Sequence, residues 1–362
     1  MRAAVALLAA ALCGLAGAGC GGDGAEPGAP PRGATLVLDF QPNAVHSGIY
    51  AAAERGLLAH EGVDLEIQEP SSTSDGAKLL EAGRADFAIL DINDFGIARR
   101  RGLEIVAVAA IVQRPLASVI AVDRDAVGTP AELAGRTIGV TGVPSDDAVL
   151  RTVLAAGGIG PGDVTSQTVG FQAAALLASG QLDAATAFWN AEGVELAQQG
   201  LLTREFRVDE FGAPRYPELL LAAPGGAVDE GPPDPGSTVC RVLRGIEGGY
   251  GVLADDPGSA VDDLLAATPE SNPDSQNAQL SALVAADAFS TQGADDATAA
   301  IQGRAVLEWL DWAETNGALP RSEDPKGRDD LIAGFRDDLL PECSAASEPA
   351  AAPGEPTPDG EP

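Results

Sequence analysis

Short apolar runs and stretches of helical spacing alternate along the first part of the chain. The runs have the length of strands, and the stretches between them repeat apolar residues three and four positions apart. The predicted strands are Thr35–Phe40, Val63–Ile67, Asp86–Leu90 and Glu104–Ile111, and the predicted helices are Val45–Arg55, Asp75–Glu81 and Asp94–Arg101. Alternation of this kind is typical of an α/β unit with a mainly parallel sheet.

A second alternation follows Ala117–Val122, an apolar and β-branched segment that is predicted to cross to a second unit. That unit starts with a capped helix at Thr129–Leu133. Its strands are predicted at Thr137–Val140, Val164–Val169 and Ala184–Phe188, and its helices at Asp146–Ala156, Gln172–Ala178 and Ala191–Gln199. Glu218–Ala222 is predicted to be a strand that crosses back to the first unit. Helices are predicted after it at Ser237–Ala254, Gly258–Ala266, Ser275–Ala286, Ala300–Thr315 and Gly327–Leu339.

The pattern predicts an α/β fold with two lobes joined by two crossing strands, which together form a clamshell. The first lobe comprises residues 34–122 and 216–343, and the second comprises residues 123–215. Ligands of such sheets lie beyond the carboxyl ends of the strands, near the N-termini of helices. We therefore expect a binding cleft between the lobes.

Both ends of the chain lack the pattern of a packed domain. Residues 1–20 read as an export signal, and residues 15–20 resemble a lipoprotein cleavage site with Cys20 as the acylated residue. Cleavage by an ordinary signal peptidase is the alternative. Residues 21–33 are predicted to be a flexible tether, and residues 344–362 a disordered, acidic and Pro-rich tail.

The charge balance limits the partners. The chain has 22 Lys and Arg against 54 Asp and Glu, which gives a formal net charge of −32. Phosphate backbones and broad anionic surfaces would be repelled by this charge. We therefore expect no nucleic-acid partner.

Two cysteines remain for the mature domain, because Cys13 leaves with the signal and Cys20 would carry lipid. These are Cys240 and Cys343. An oxidising compartment favours a disulfide between them, and two buried or free thiols are the alternative. The bridge would attach the last helix to the helix that contains Val239–Ile246.

Aromatic residues at predicted strand ends are candidates for stacking on a planar ligand. Phe40 and Tyr50 lie at the first strand-to-helix junction, and Trp189 follows the last strand of the second unit. The alternative for Phe40 and Tyr50 is a place in the core. The loop position of Trp189 predicts exposure to the cleft.

Polar side chains occupy the same junctions. Asn43 can donate and accept hydrogen bonds and Glu192 can accept them, which suits both to bind a small planar solute, although capping and solvation in a first helical turn are their alternatives. His46 is interpreted either as a ligand contact or as a structural residue, and Ser145 as a helix cap or an anion contact. Asp91, Asn93 and Asn190 join the candidate site by their positions after strands.

The sequence offers little support for catalysis. It contains no Gly-x-Ser-x-Gly motif and no P-loop. With two His residues and no spaced Cys pairs, it offers no obvious ligand set for a metal, and we expect no metal and no cofactor.

One segment resembles a known family. Phe40, Pro42, Asn43, His46, Gly48 and Tyr50 match the aromatic-x-Pro-Asn-x-x-His-x-Gly-x-Tyr run of substrate-binding proteins related to the thiamine-pyrimidine-precursor family of ABC importers. Residues 187–196 are similar to a second motif of that family, and the likeness spans roughly 34–320. The resemblance implies a periplasmic-binding-protein type II fold.

The resemblance also implies a function. A lipoprotein monomer on the outer face of the cell membrane would capture a small nitrogen heterocycle, with a thiamine pyrimidine precursor favoured, and deliver it to an ABC permease. Flavin and sulfonate- or nitrate-type solutes are alternative ligands. A tethered sensor is another alternative. So is an enzyme similar to the pyrimidine-precursor synthases, although the cysteine-rich iron motif of those enzymes is missing here.

Overall fold

The computed structural model describes residues 31–71, 75–122, 127–228, 231–290, 298–322 and 324–345, without the side chain of Phe171. The predicted signal, Cys20, most of the tether and the tail beyond residue 345 lie outside the described residues. Within the described part, no helix is long and apolar enough to cross a membrane.

The first part of the chain builds the strands and helices of one sheet. These are β1 Arg32–Val37, α1 Ser47–Glu54, α2 Leu57–His60, β2 Val63–Gln68, α3 Asp75–Glu81, β3 Phe87–Asp91, α4 Ile92–Arg100 and β4 Ile105–Val112. A 3-10 turn at Ala44–His46 precedes α1, and Asn43 caps it.

The next part builds a second sheet. Its elements are β5 Ala117–Val122, β6 Thr137–Val140, α5 Pro144–Ala156, β7 Thr165–Thr168, α6 Ala173–Ser179, β8 Ala184–Phe188, α7 Glu192–Gln198 and β9 Thr203–Arg207. The predicted helix near Thr129 is a 3-10 turn, Pro130–Leu133, closed by a capping box of Thr129 and Glu132.

The chain then returns to the first sheet and ends in helices. The elements are β10 Leu219–Pro224, α8 Thr238–Asp255, α9 Pro257–Ala267, α10 Pro273–Ala285, α11 Gly303–Asn316, α12 Pro325–Ile332 and α13 Leu339–Ala345.

The two sheets have equivalent topologies. Their strand orders are β2-β1-β3-β10-β4 and β7-β6-β8-β5-β9. In each sheet one strand runs antiparallel to both neighbours, β10 in the first and β5 in the second. The chain crosses between the sheets at residues 113–116 and again at 208–218.

Three sequence expectations need correction. Ala117–Val122 belongs to the second sheet, so the lobe boundary lies before this strand and not after residue 122. The edge strand β9 was not predicted, because Thr-Arg-Glu-Phe-Arg carries one apolar side chain among four polar ones. The helix predicted over Gly327–Leu339 is two helices, since Phe335 forms a β-bridge with Ala107 between them.

The helix α8 joins the C-terminal helices to the first sheet. It packs closely on α1, and a Cβ at Gly249 would lie 2.0 Å from the carbonyl oxygen of Gly48. Cys240 of α8 and Cys343 of α13 form a disulfide with a Cα–Cα distance of 5.1 Å. Cys343 therefore lies inside α13, whereas the sequence predicts a last helix that ends at Leu339, before this cysteine.

The lobes also touch away from the crossing segments. Helix α11 of the first lobe packs on α5 of the second within one apolar cluster. The indole nitrogen of Trp312 donates a hydrogen bond to the hydroxyl of Thr152 at 3.0 Å. These contacts fix the angle at which the strand ends of the two sheets face each other.

Candidate ligand-binding cleft

A cleft of about 400 Å³ lies between the lobes. It is lined by residues that follow strands of both sheets: Asp39 after β1, Asp91 at the end of β3, Thr141 after β6 and Phe188 at the end of β8. A volume of this size suits a small organic ligand. Of the predicted site residues, the cleft brings together Phe40, Asn43, Asp91, Asn93, Ser145, Asn190 and Glu192.

Asn43 lines the cleft and also caps the turn that follows it. Its Oδ1 accepts a hydrogen bond from the backbone N–H of Val45 at 3.2 Å, and its Nδ2 donates to the carbonyl of Gln41 at 3.0 Å. The capping role, which the sequence left open, is therefore present in the structure. The amide is fixed at the cleft wall by local bonds.

His46 is fully buried and does not line the cleft. Its Nδ1 accepts a hydrogen bond from the backbone N–H of Asn43 at 3.2 Å, so the proton of the neutral ring is on Nε2. Nε2 in turn donates to Oδ1 of Asp39 at 2.8 Å. Asp39 does line the cleft, and His46 therefore acts on the site by positioning this carboxylate.

Tyr50 does not reach the cleft either. Its ring belongs to the core of the first lobe, with 8% of its surface exposed. Burial, together with the nearby charges of Glu69 and Glu270, raises the pKa of Tyr50 to about 12. The predicted stacking role is not supported, because a helical residue one turn into α1 faces the packed helices and not the strand ends.

Trp189 is buried, which corrects the expectation that its ring is exposed to the cleft. It is 1% exposed, and its indole nitrogen donates to the carbonyl of Pro115 at 3.0 Å. The Arg207 guanidinium lies over the ring at 4.0 Å from its centroid. The backbone N–H of Trp189 pairs with Leu116, so the β5–β8 ladder continues and turns this side chain beneath the first crossing segment.

The floor of the cleft carries carboxyl groups from two neighbouring strands. Asp91 and Glu218 are brought together because β3 and β10 are paired there, and both residues line the cleft. Burial raises the pKa of both groups. Oε2 of Glu218 also accepts from the backbone N–H of Leu116 at 2.7 Å.

Asp94 lies beside this pair in the first turn of α4. Burial and the charge of Asp91 raise the pKa of Asp94 to about 7. Asn93, one residue earlier, is almost fully buried, and its Oδ1 accepts from the indole nitrogen of Trp309 at 3.1 Å. This bond fixes the start of α4 at the cleft floor.

The second lobe contributes two more carboxylates. Oδ2 of Asp146 accepts from the backbone N–H of Thr141 at 2.6 Å and from the hydroxyl of Thr186 at 2.9 Å. Oε2 of Glu192 accepts from the backbone N–H of Phe188 at 3.0 Å, while burial raises its pKa. Ser145 lies in the first turn of α5 and does not cap it, because the cap residue is Val143.

Asn190 supplies an unused acceptor. It lines the cleft, is 2% exposed, and its Oδ1 has no hydrogen-bond partner. A buried carbonyl oxygen without a donor is costly, so a site of this kind favours a ligand that brings an N–H or O–H group.

The cleft opening is apolar and the interior is acidic. Phe40 of the first lobe is 47% exposed and Val143 of the second is 41% exposed, and both line the opening. The described lining residues include Asp39, Asp91, Asp94, Asp146, Glu192 and Glu218 but no Lys, Arg or His. In the described part of the chain, no group of three or more His, Cys, Asp and Glu side chains is arranged to hold a metal ion.

Asp39, Asp94, Asp146 and Glu218 line the cleft but are not among the predicted site residues. Asp94, Asp146 and Glu218 lie within or beside segments that were recognised as strand ends and helix starts. The sequence signal for these residues is their position, because each is a carboxylate next to the end of a predicted strand or the start of a predicted element. The proximity of Asp91 and Glu218 depends on the pairing of strands more than a hundred residues apart, which no local pattern reveals.

Comparison with known proteins places the chain in a family. Residues 43–260 match the model of the NMT1/THI5-like family, and the chain belongs to that family. It is 32% identical to the formylaminopyrimidine-binding protein of Halalkalibacterium halodurans over 66% of this chain and 71% of that protein. It is 26% identical to a 4-amino-5-hydroxymethyl-2-methylpyrimidine phosphate synthase of Saccharomyces cerevisiae over 46% of this chain and 47% of that enzyme.

Two solved structures show the same fold. The alkanesulfonate-binding protein SsuA of Xanthomonas axonopodis has a TM-score of 0.62 at 17% identity, covering 85% of this chain and 99% of that one. The nitrate-binding protein NrtA of Synechocystis has a TM-score of 0.66 at 15% identity, covering 88% and 89%. The predicted two-lobed periplasmic-binding-protein fold is thereby confirmed.

Proposed function

We propose that this protein is the extracytoplasmic substrate-binding protein of an ABC importer and that it captures a small pyrimidine-type heterocycle between its lobes. The observation that carries the proposal is the chemistry of the cleft: buried acceptors from both lobes, with no cationic side chain among the described lining residues. An aminopyrimidine presents an amine that such acceptors can bind. The relative that binds formylaminopyrimidine supports the same class of ligand.

The cleft argues against the ligands of the structural neighbours. A sulfonate or a nitrate ion needs positive charge or clustered donors, whereas six carboxyl groups line this cleft. Repulsion and the cost of burying an unpaired anion both disfavour such a ligand. A phosphorylated pyrimidine is disfavoured for the same reason.

A binding role is favoured over catalysis. The relatives include synthases, but those matches cover about half of each enzyme. In the sequence, the cysteine-rich iron motif expected of such enzymes is missing. His46, the residue at the junction that the synthases would use, is buried and engaged on both ring nitrogens.

The membrane-related features belong to the same proposal. Acylation of Cys20 and a tether over residues 21–33 would hold the domain at the outer face of the membrane as a monomer, next to a permease that receives the ligand. Labelling with a radioactive or alkyne-bearing fatty acid in the native host tests the anchor. A Cys20→Ala variant should lose the label and appear in the medium.

The ligand class is tested by calorimetry with a panel of solutes. Formylaminopyrimidine and 4-amino-5-hydroxymethyl-2-methylpyrimidine should bind, whereas alkanesulfonates and nitrate should not. Asn190→Ala should weaken pyrimidine binding about 5- to 150-fold, on the basis of about 1–3 kcal/mol for a lost buried hydrogen bond. Gln199→Ala, at an exposed position just beyond α7, is the control. Binding of sulfonates alone would refute the proposal.

A further inference from the structure

We propose that the cleft holds its heterocycle as a cation, with the protonated ring paired to the carboxylate of Asp94. The inference rests on the proposed function, because it concerns the same ligand and the same cleft. It adds the charge state of the bound ligand and the residue that sets it. Nothing in the resemblance to other proteins specifies either.

The cleft floor favours protonated carboxyl groups. Asp91 and Glu218 lie on or beside neighbouring strands, and both line the cleft. Burial raises the pKa of both groups, and the nearby charge of Asp91 raises that of Glu218 further. Oδ1 of Asp91 accepts from the backbone N–H of Asn93 at 2.6 Å, which supports the charged form of Asp91.

Asp94 is the group that this charge acts on. It lines the cleft next to the pair, and its pKa of about 7 follows from burial and from the charge of Asp91. Asp39 after β1 adds to this effect, and Arg101 at the end of α4 opposes it. Near neutral pH, the carboxyl group of Asp94 is thus partly protonated.

The other elements that face the cleft bring no compensating cation. Asp146 of α5 and Glu192 of α7 line the opposite wall. Tyr216 on the second crossing segment is buried and does not line the cleft, and burial raises its pKa. His46 behind Asp39 already donates its Nε2 proton to that carboxylate. A bound cation would therefore meet acceptors on every side.

Asn190 gives independent support for a ligand rich in donors. Asn190 lines the same cleft, and its buried Oδ1 has no hydrogen-bond partner. The ring nitrogens of a neutral aminopyrimidine are acceptors, and an acceptor that faces an ionised carboxylate cannot form a hydrogen bond with it. Protonation of one ring nitrogen turns it into a donor that matches the cleft.

The proton balance is simple. Below about pH 7, the O–H bond of Asp94 breaks and an N–H bond forms on the ring, so no proton enters or leaves the complex. Above that pH the carboxyl group is already ionised, and the complex takes one proton from water. Affinity for a neutral heterocycle should then fall about tenfold for each pH unit.

Ultraviolet difference spectroscopy tests the charge state directly. The probe is 4-amino-5-hydroxymethyl-2-methylpyrimidine, at a pH above about 7 where Asp94 is ionised and where the ligand's own titration shows the free ring to be neutral. We expect the bound ligand to have the spectrum of the protonated ring, and calorimetry in two buffers of different ionisation enthalpy to show uptake of about one proton. A neutral-ring spectrum in the wild-type complex would overturn the proposal while leaving the proposed function intact.

Variants separate the role of Asp94 from the effect of the protein's overall negative charge. Asp94→Asn should bind at least about tenfold more weakly at that pH, without proton uptake and with the neutral-ring spectrum. Asp147→Asn, an exposed first-turn residue of α5 that does not line the cleft, should behave like the wild type. Retained proton uptake in Asp94→Asn would contradict the proposal. Failure of the wild type to bind any pyrimidine would instead refute the proposed function, and this proposal with it.

Discussion

The residues that shape the cleft are held by bonds formed behind its surface. His46 positions Asp39, Trp309 positions Asn93, and Trp189 supports the crossing segment through Pro115. Each of these side chains is buried, and each reaches a lining residue or its neighbour. Substitutions of these buried residues should therefore reduce the stability of the protein more than its affinity for the ligand.

His46→Ala should lower the free energy of unfolding by about 1–3 kcal/mol, because the backbone N–H of Asn43 and the carboxylate of Asp39 lose their partner. Urea denaturation measures the change. His60→Ala is a matched control, since the side chain of His60 is 87% exposed. Equal stability of the two variants would show that the buried contacts of His46 contribute nothing.

Trp189→Phe should cost about 1–2 kcal/mol of stability, because the hydrogen bond to Pro115 is lost and a small cavity forms. Ligand affinity, measured by calorimetry at a temperature where both proteins are folded, should change less than threefold. A large loss of affinity at unchanged stability would show that Trp189 contacts the ligand and would contradict this prediction.

Asp94→Asn should stabilise the unliganded protein at neutral and higher pH. The pKa of Asp94 is raised from 3.8 to about 7, so its favourable contribution is complete below pH 3.8 and is lost as the pH rises through about 7. We expect a gain of about 1–3 kcal/mol at pH 8. Thermal melts of both proteins should converge near pH 4, and a constant difference at all pH values would exclude titration as the cause.

At the scale of elements, sequence periodicity predicts most of the strands and helices. Asp75–Glu81, Ala117–Val122, Thr137–Val140 and Ala184–Phe188 have the predicted bounds. The edge strand β9 escapes because four of its five residues are polar, and the last helix is interrupted by a bridge to a strand far away in sequence. Local patterns therefore predict elements well where buried and exposed residues alternate regularly. They predict elements poorly where pairing with a strand far away in sequence determines the structure.

The same distinction holds for the candidate site. The expectation that ligand-binding residues follow the carboxyl ends of strands identifies Asp91, Asn93, Asn190 and Glu192, which all line the cleft. It fails for Trp189 because continued pairing with Leu116 turns the ring inward. It misses Glu218 because the pairing of β3 with β10 is not encoded locally.

The disulfide is the element-scale feature with the largest expected energy. Cys240 and Cys343 are separated by 103 residues, so the chain-entropy model gives about 4–5 kcal/mol for the bridge. The Cys240→Ser, Cys343→Ser double variant should melt at a lower temperature, and reducing agent should lower the wild-type melting temperature towards it. A wild-type melting temperature that does not respond to complete reduction would contradict this contribution.

At the scale of the whole molecule, the two crossing segments are fastened to each other and to the helices. Arg114 forms ion pairs with Asp209 and Glu210 and donates to the carbonyl of Ala286. On another face, Arg151 of α5 donates to the carbonyl of Asn316 at the end of α11. The lobes are thus held at a defined angle around an acidic cleft, in a protein whose overall charge is strongly negative.

The central claim is that this cleft captures an uncharged or cationic nitrogen heterocycle and not an anion. Mass spectrometry of the small molecule released by denaturing protein purified from its native host tests it most directly. The structure predicts an unphosphorylated pyrimidine in an amount approaching one per protein molecule. Recovery of a sulfonate, a nitrate ion or a phosphorylated compound at that stoichiometry would contradict the account.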